Sequence, residues 1–311
     1  MASFSFIIPV KDGERYISEC LRRISGEMTT GDEIIIADNG STDATLDIAR
    51  RFDRVTILNH PHITIAALRN RGAERARGDI FAFIDVDCFV CPGWRRAAEE
   101  VLADPAVDGT GSHFDVSLEP TWIEKAWIPP RPKTAQPVHY LPSGNLVIRK
   151  LVYEKIGGFD ERLVTDEDTE IGHRLKRHGY RLVDAPGVCV KHQGNARSLG
   201  QFIRKEKWHA TSILSSMKAQ KLDKPMVMTI AFLVFALLFL VAWPLSSVIP
   251  VSPWWFLAGL VAVPGLTAFY RAATFGIYKY LPQLFVLFGV FYFVRALTII
   301  ESLFGRTKRR A

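Results

Sequence analysis

Apolar residues fall in short unbroken runs over the first two thirds of the chain and in long runs over the last third. Residues 4–10, 33–37, 55–58 and 80–84 are runs that can be buried on both faces, as strands of a parallel sheet are. Between the first two, Tyr16, Ile17, Cys20, Leu21 and Ile24 recur at helical spacing. Residues 44–52 and 66–76 read as two further helices. This alternation predicts an α/β fold with a mainly parallel, doubly wound sheet and right-handed crossovers. A helix over 92–102 follows, then a strand at 146–149 that returns to the sheet. Helices at 151–156 and 169–178 end at Gly157-Gly158 and Gly179, and short strands follow at 180–183 and 188–191. Residues 105–142, irregular and rich in Pro and Trp, are expected to form loops around a pocket.

The pattern changes after residue 198. Residues 199–221 set Phe202, Ile203, Trp208, Ile213 and Leu214 among basic side chains. That pattern suits a helix lying in a membrane interface, with an ordinary surface helix as the alternative. Segments 226–243, 254–270 and 281–300 are each long enough to cross about 30 Å of hydrocarbon. Pro264 is tolerated in such a helix, and Arg295 interrupts the third segment. The expected organisation is a catalytic domain at 1–198, an interfacial helix at 199–224, a membrane region at 225–305 and a basic tail at 306–311.

Lys205, Lys207, Lys218, Lys221 and Lys224 precede the first span, and no basic residue lies between the first and second. This bias predicts a multi-pass protein of the cell (inner) membrane with its first domain in the cytoplasm. Three complete crossings would put the basic tail on the opposite side, so parity and charge disagree at 281–300.

The 311 residues carry a net charge of +7, and much of the excess flanks the apolar segments. A membrane surface explains it better than nucleic acid, for which no motif is visible. Of four cysteines, Cys88 and Cys91 have half the spacing of a zinc knuckle, but no second pair follows. All four are expected to be reduced thiols. Residues 5–10 read as a strand, so no cleaved leader is expected.

The candidate chemistry gathers at strand ends. The run 80–84 leads into Asp85-Val86-Asp87, two acids that share a face. Ligands of open α/β sheets bind beyond the carboxyl ends of the strands. Paired carboxylates there suit Mg2+ or Mn2+ bridging to phosphate. Pro9, Val10 and Asp38 end the first two strands, and Arg69 near a helix start is a candidate phosphate contact. A second acidic group, Thr165-Asp166-Glu167-Asp168-Thr169-Glu170, puts four acids in six residues at a helix start. The helix dipole accounts for some of them, and crowded carboxylates are poised as general bases. His192 after the last strand is a candidate metal ligand or phosphate contact. Each residue also has a plainer role as a cap, a solvated charge or a loop histidine.

In order along the chain, Ile8-Pro9-Val10, Ala37-Asp38-Asn39-Gly40-Ser41-Thr42-Asp43, Ala67-Leu68-Arg69-Asn70-Arg71-Gly72 and Phe83-Ile84-Asp85-Val86-Asp87-Cys88 resemble the family 2 glycosyltransferases, which have the GT-A fold. Ser143-Gly144-Asn145-Leu146, Gly157-Gly158-Phe159-Asp160-Glu161 and Glu167-Asp168-Thr169-Glu170 extend the resemblance to about residue 210. It implies that Asp38 binds the nucleotide base and that Asp85 and Asp87 form the Asp-x-Asp element, with Asp87 directly on a divalent metal. It further implies that Gly144 and Asn145 line the sugar and acceptor pocket, that Asp168 beside Glu167 is the catalytic base, and that His192 joins the metal site. The chain departs at Asn39, where a second Asp is common, and at Glu170, where Asp is common. It lacks the Gln-x-x-Arg-Trp signature of processive synthases.

The implied reaction is inverting transfer from a nucleotide-diphosphate sugar, with a UDP-sugar favoured. The acceptor is expected at the membrane and lipid-linked, either polyprenyl phosphate or a lipid-linked glycan. Two alternatives are a nucleotidyltransferase, whose Gly-rich loop is missing after the first strand, and a scaffold that has lost catalysis.

Overall fold

The computed structural model describes residues 2–216, 224–246, 248 and 250–303. The basic tail and Lys218 and Lys221 lie outside these residues. The chain forms two compact units, one from 1–119 with 130–195 and one from 120–129 with 196–311.

The first unit begins β1 (Phe4–Val10), α1 (Glu14–Glu27), β2 (Glu33–Asp38), α2 (Thr45–Ala49), β3 (Val55–Asn59), α3 (Ile65–Arg75), β4 (Ile80–Ile84). This is the expected alternation. After β5 (Cys88–Val90), α4 (Trp94–Leu102) and β6 (Gly109–Gly111), the chain makes α5 (Trp122–Trp127), which belongs to the second unit. It returns through β7 (Gln136–Val138), β8 (Asn145–Arg149), α6 (Lys150–Ile156), α7 (Glu167–Arg177), β9 (Leu182–Asp184) and β10 (Val190–His192).

The main sheet has the order β3-β2-β1-β4-β8-β6-β9-β7. Strands β1 to β4 are parallel, while β8 runs antiparallel to β4 with Ile84 opposite Asn145. That reversal puts the start of β8 beside the end of β4, and the Asp85 amide donates to the Gly144 carbonyl at 3.2 Å. Side chains of β1 alternate between two cores. Phe4, Phe6, Ile8 and Val10 pack with α1 and Trp94, while Ile7 packs with Phe81, Phe83 and Leu175 on the other face. Burial on both faces explains why these strands are continuously apolar. β1 also outruns β4, so Pro9 lies past their last pair, Ile7 with Phe83. A missing N–H is tolerated there.

Two expectations are corrected. Residues 105–142 are not all loop, because β6 and β7 join the sheet and α5 forms with a capping box between Thr121 and Glu124. Nor are all four cysteines thiols: Cys91 and Cys189 form a disulfide, while Cys20 and Cys88 are free and buried. β5 and β10 pair antiparallel as a separate ribbon, with Cys88 opposite His192, and this brings Cys91 to 5.4 Å from Cys189 between Cα atoms. The half-knuckle spacing is therefore not a metal pair.

In the second unit, α8 (Leu199–Ser216), α9 (Lys224–Ala242), α10 (Trp254–Phe275) and α11 (Leu281–Leu303) gather around Phe232, Phe288, Phe291 and Tyr292, with Trp127 of α5 packed against them. Among the described residues, three helices are long and apolar enough to cross a membrane. Outward faces of α9 and α10 are apolar, with Leu240, Leu266, Phe269 and Tyr270 exposed. Ile213 and Leu214 lie on α8, and the rest of the expected 199–224 helix beyond Ser216 is outside the described residues.

Alkylation of the denatured protein without reductant is expected to label Cys20 and Cys88 only, and all four cysteines after reduction. Labelling of all four without reductant, read by mass spectrometry, contradicts the pairing.

Candidate active site

Asp85 follows β4 and Glu167 opens α7, 82 positions later in the sequence. Arg69, from the second turn of α3, lies between them. Its Nη2 donates to Asp85 Oδ1 and its Nη1 to Glu167 Oε1, both at 2.7 Å. Arg69 is 1% exposed, and its guanidinium stands 5.6 Å from the Phe159 ring centre. Burial works against the charge of Arg69, but Asp85 and Glu167 hold its proton more tightly than usual. Burial likewise holds the Asp85 carboxyl above its ordinary range, opposed by Arg69. Ser143 adds a hydrogen bond to Glu167 Oε1 at 2.8 Å. Gly144 is needed beside this pair, because any Cβ there would collide with Asp85 Oδ2 and Phe114.

Asp168 stands next to Glu167 in the first turn of α7. Burial, then the charge of Glu167, raises its carboxyl to about 6. Such a group accepts a proton near neutral pH far better than an ordinary aspartate does.

Asp87, Cys88 and His192 bring one ligand atom each within 4.8 Å of one another. The Cys88 side chain lies in the core under β1, and burial pushes its thiol up. His192 stacks on Phe114, with ring centres 4.4 Å apart. Its Nδ1 is 2.7 Å from Asn195 Oδ1, and Asn195 Nδ2 donates back to the His192 carbonyl at 2.8 Å. The amide oxygen therefore faces the ring, so Nδ1 carries a proton, and Nε2 stands 3.4 Å from Asp87 Oδ2. A carboxylate and an imidazole nitrogen this close can hold a cation between them, and an imidazole oriented from behind is the usual support of a metal ligand. The carboxylate of Asp87 is a ligand type that suits Mn2+ or Mg2+. Gly194 passes so close to Asp87 Oδ2 that a Cβ would occupy the same space.

The remaining sequence candidates divide. Asp38 is fully buried, and its Oδ2 accepts from the amides of Gly40 and Ser41 at 3.0 and 3.1 Å. It lies two strand spacings from Asp85, about 10 Å. The Val10 side chain is in the core, and its carbonyl accepts from Asn39. Arg69, the candidate phosphate contact, has a carboxylate on each end of its fork. Asp85 is not in the Asp87 cluster, because its carboxylate turns to Arg69. The side chain of Asn145, expected to line the pocket, is fully buried, accepting from Trp94 Nε1 and donating to the Ser112 and Val188 carbonyls. It ties β8 to the chain around β6 and β10.

Sequence reasoning missed Asn195 and Phe114, and it quoted Ser143 in a motif without giving it a role. Asn195 lies three residues after His192, and that spacing was the one available signal.

Residues 5–157 match the family described as Glycosyl transferase family 2, and residues 133–297 match Glycosyl transferase family group 2. The chain belongs to the family 2 glycosyltransferases. It is 28% identical over 216 residues to Glycosyltransferase AglE of Haloferax volcanii, covering 65% of this chain and 70% of that relative. It is 25% identical over 269 residues to Succinoglycan biosynthesis protein ExoA of Rhizobium meliloti, covering 80% and 81%. Among solved structures it resembles the mannosyltransferase PcManGT from Pyrobaculum calidifontis in complex with GDP-Man and Mn2+. There the TM-score is 0.61 and the identity 18%, over 98% of this chain and 88% of that one. The fold is GT-A, and the protein is a membrane-anchored glycosyltransferase of family 2.

Replacing Arg69 with methionine leaves two buried carboxylates without their cation. The loss is expected to be about 3–5 kcal/mol, the usual result of breaking a buried pair from one side. Thermal unfolding in detergent reads it, and an unchanged midpoint contradicts the bridge.

Proposed function

We propose that this glycosyltransferase moves a sugar from a nucleotide-diphosphate donor to a lipid-linked acceptor, with inversion and with a divalent metal. One observation carries the reading. Asp87 and His192 stand together at 3.4 Å, Arg69 bridges Asp85, two residues before Asp87, to Glu167, and Asp168 beside Glu167 is raised to about 6. Asp87 and His192 suit the departing diphosphate, and Asp168 suits the incoming acceptor.

Asp87 and His192 would hold the metal, with Asp85 alongside. When bound, it supplies Lewis-acid stabilisation of the charge growing on the leaving diphosphate. The mannosyltransferase of the same fold, described with GDP-Man and Mn2+, supports this choice. Arg69 keeps Asp85 and Glu167 in fixed positions, so the acids at 87 and 168 inherit their spacing from it. Asp168 takes the proton of the acceptor hydroxyl as that oxygen attacks the anomeric carbon opposite the leaving group. A single displacement inverts the centre. Asp38, fixed by Gly40 and Ser41, is assigned to the end of the crevice that takes the nucleotide base.

The membrane reading rests on the second unit. Trp243 and Trp254 meet at the turn between α9 and α10, with ring centres 5.7 Å apart, as belongs to an interfacial belt. Glu206 and Lys207 of α8 pair with Arg295 and Glu301 of α11 at 3.5 and 2.8 Å. The lysines that precede α9 favour the cytoplasmic side for the catalytic unit.

Asp87→Ala is expected to abolish turnover together with Mn2+-dependent binding of UDP or GDP, measured by calorimetry. Metal-dependent binding that survives intact contradicts the site. Asp168→Asn is expected to keep nucleotide binding and lose transfer by about 10²–10⁴-fold.

The wild-type pH profile follows from Asp168. The base acts when deprotonated, so kcat/KM is expected to be level above about pH 6 and to fall below it. A profile level down to pH 4 contradicts the base assignment.

A further inference from the structure

A second titratable pair lies outside all the motifs above. His113 comes off the sheet two residues after β6, and Asp184 ends β9, which pairs parallel with β6 so that Gly111 stands opposite Asp184. His113 Nδ1 is 2.8 Å from Asp184 Oδ2. Asp184 is 2% exposed, and its Oδ1 has no hydrogen-bond partner among the described residues. The His113 side chain is 39% exposed. Its ring meets that of Tyr140 edge-on, centroids 5.5 Å apart. Tyr140 in turn covers the first turns of α7, since a Cβ at Gly172 would come within 2.5 Å of Tyr140 Cβ. Asp168 is close enough for its charge, after burial, to push the Tyr140 phenol up. His113 thus joins Asp184 to Tyr140, and Tyr140 lies against α7, the helix that carries Asp168.

The fold does not require this pair. A carboxylate buried with a single side-chain partner is costly, and an apolar residue at 184 would serve the sheet better. A carboxylate only accepts hydrogen bonds, so Nδ1 carries a proton and Nε2 is the ring nitrogen turned away from Asp184. With the Asp168 carboxylate and the ring of Tyr140, the row offers an acceptor, a ring nitrogen and an aromatic wall. It suits a ligand that brings donors and a C–H face, as a pyranose does. A phosphate monoester brings only lone pairs and negative charge.

We propose that His113, held by Asp184 and walled by Tyr140, positions the acceptor beside Asp168, and that the acceptor group is a sugar hydroxyl on a lipid-linked glycan rather than a lipid phosphate. This rests on the reading of Asp168 as the base.

The test uses the full chain in detergent with Mn2+ and radiolabelled UDP-glucose, UDP-N-acetylglucosamine or GDP-mannose. Acceptor probes are a panel of dodecyl glycosides and farnesyl phosphate. The expected result is transfer to a glycoside and none to farnesyl phosphate. His113→Ala is expected to raise the KM for that glycoside about tenfold, the factor carried by one hydrogen bond, out of proportion to kcat. His113→Gln, which restores a polar group near Nε2, is expected to recover most of the loss.

Farnesyl phosphate as the better acceptor, no glycoside accepted, or an unchanged KM in His113→Ala each overturns the proposal. So does a fall in kcat matched by a lowered unfolding midpoint in both variants, which makes the pair a structural tie. Wild-type protein that hydrolyses none of the donors removes the transfer reading itself, and this inference with it. Intact hydrolysis with no effect at His113 removes only the inference.

Discussion

Crowded negative charge at one end of a sheet is the constraint on which the site depends. Asp85, Asp87, Glu167 and Asp168 come from two segments far apart in sequence, and burial, with neighbouring acids, holds the carboxyls of Asp85 and Asp168 above their ordinary range. Arg69 answers part of this crowding with one guanidinium fork between Asp85 and Glu167. Its planar pair of donors fits two carboxylates as a lysine cannot. The two acids left outside the fork, Asp87 and Asp168, are the ones assigned to chemistry. The same side chain thus joins the two segments that carry Asp87 and Asp168.

Each neighbour of that bridge has a packing reason. The antiparallel turn from β4 to β8 sets Gly144 against Asp85, where no side chain fits. Asn145 joins the chain around β6, β8 and β10, so the ribbon carrying His192 is held in register with the sheet. Asn195 then turns the His192 ring so that Nε2 meets Asp87. A polar network satisfied in this way specifies one geometry, and a partly satisfied one would not.

Much of the fold was legible because its signals are local. The runs of β1 to β4 are apolar on both faces, and the amphipathic period of α1 is unbroken. The acids at 85, 87, 167 and 168 were visible as clusters at element ends. What the sequence hid depends on distant pairing. Cys91 meets Cys189 across 98 residues only because β5 and β10 pair. Arg69 reads as a surface arginine until the sheet encloses it, and Asn145 reads as a pocket residue until Trp94 and Ser112 close around it. The short helix α5 packs with Trp127 among Phe202, Phe288 and Phe291, so it belongs with residues more than 70 positions away. No local period announces such a partner.

The central claim is that an acceptor hydroxyl, deprotonated by Asp168, displaces the diphosphate in one step. The anomeric configuration of the first product reports this directly. With an α-linked nucleotide sugar as donor, proton NMR of the freshly formed glycoside should show a β-linkage. An α-linked product formed at the same rate would mean two displacements or front-face attack, and would contradict the role given to Asp168.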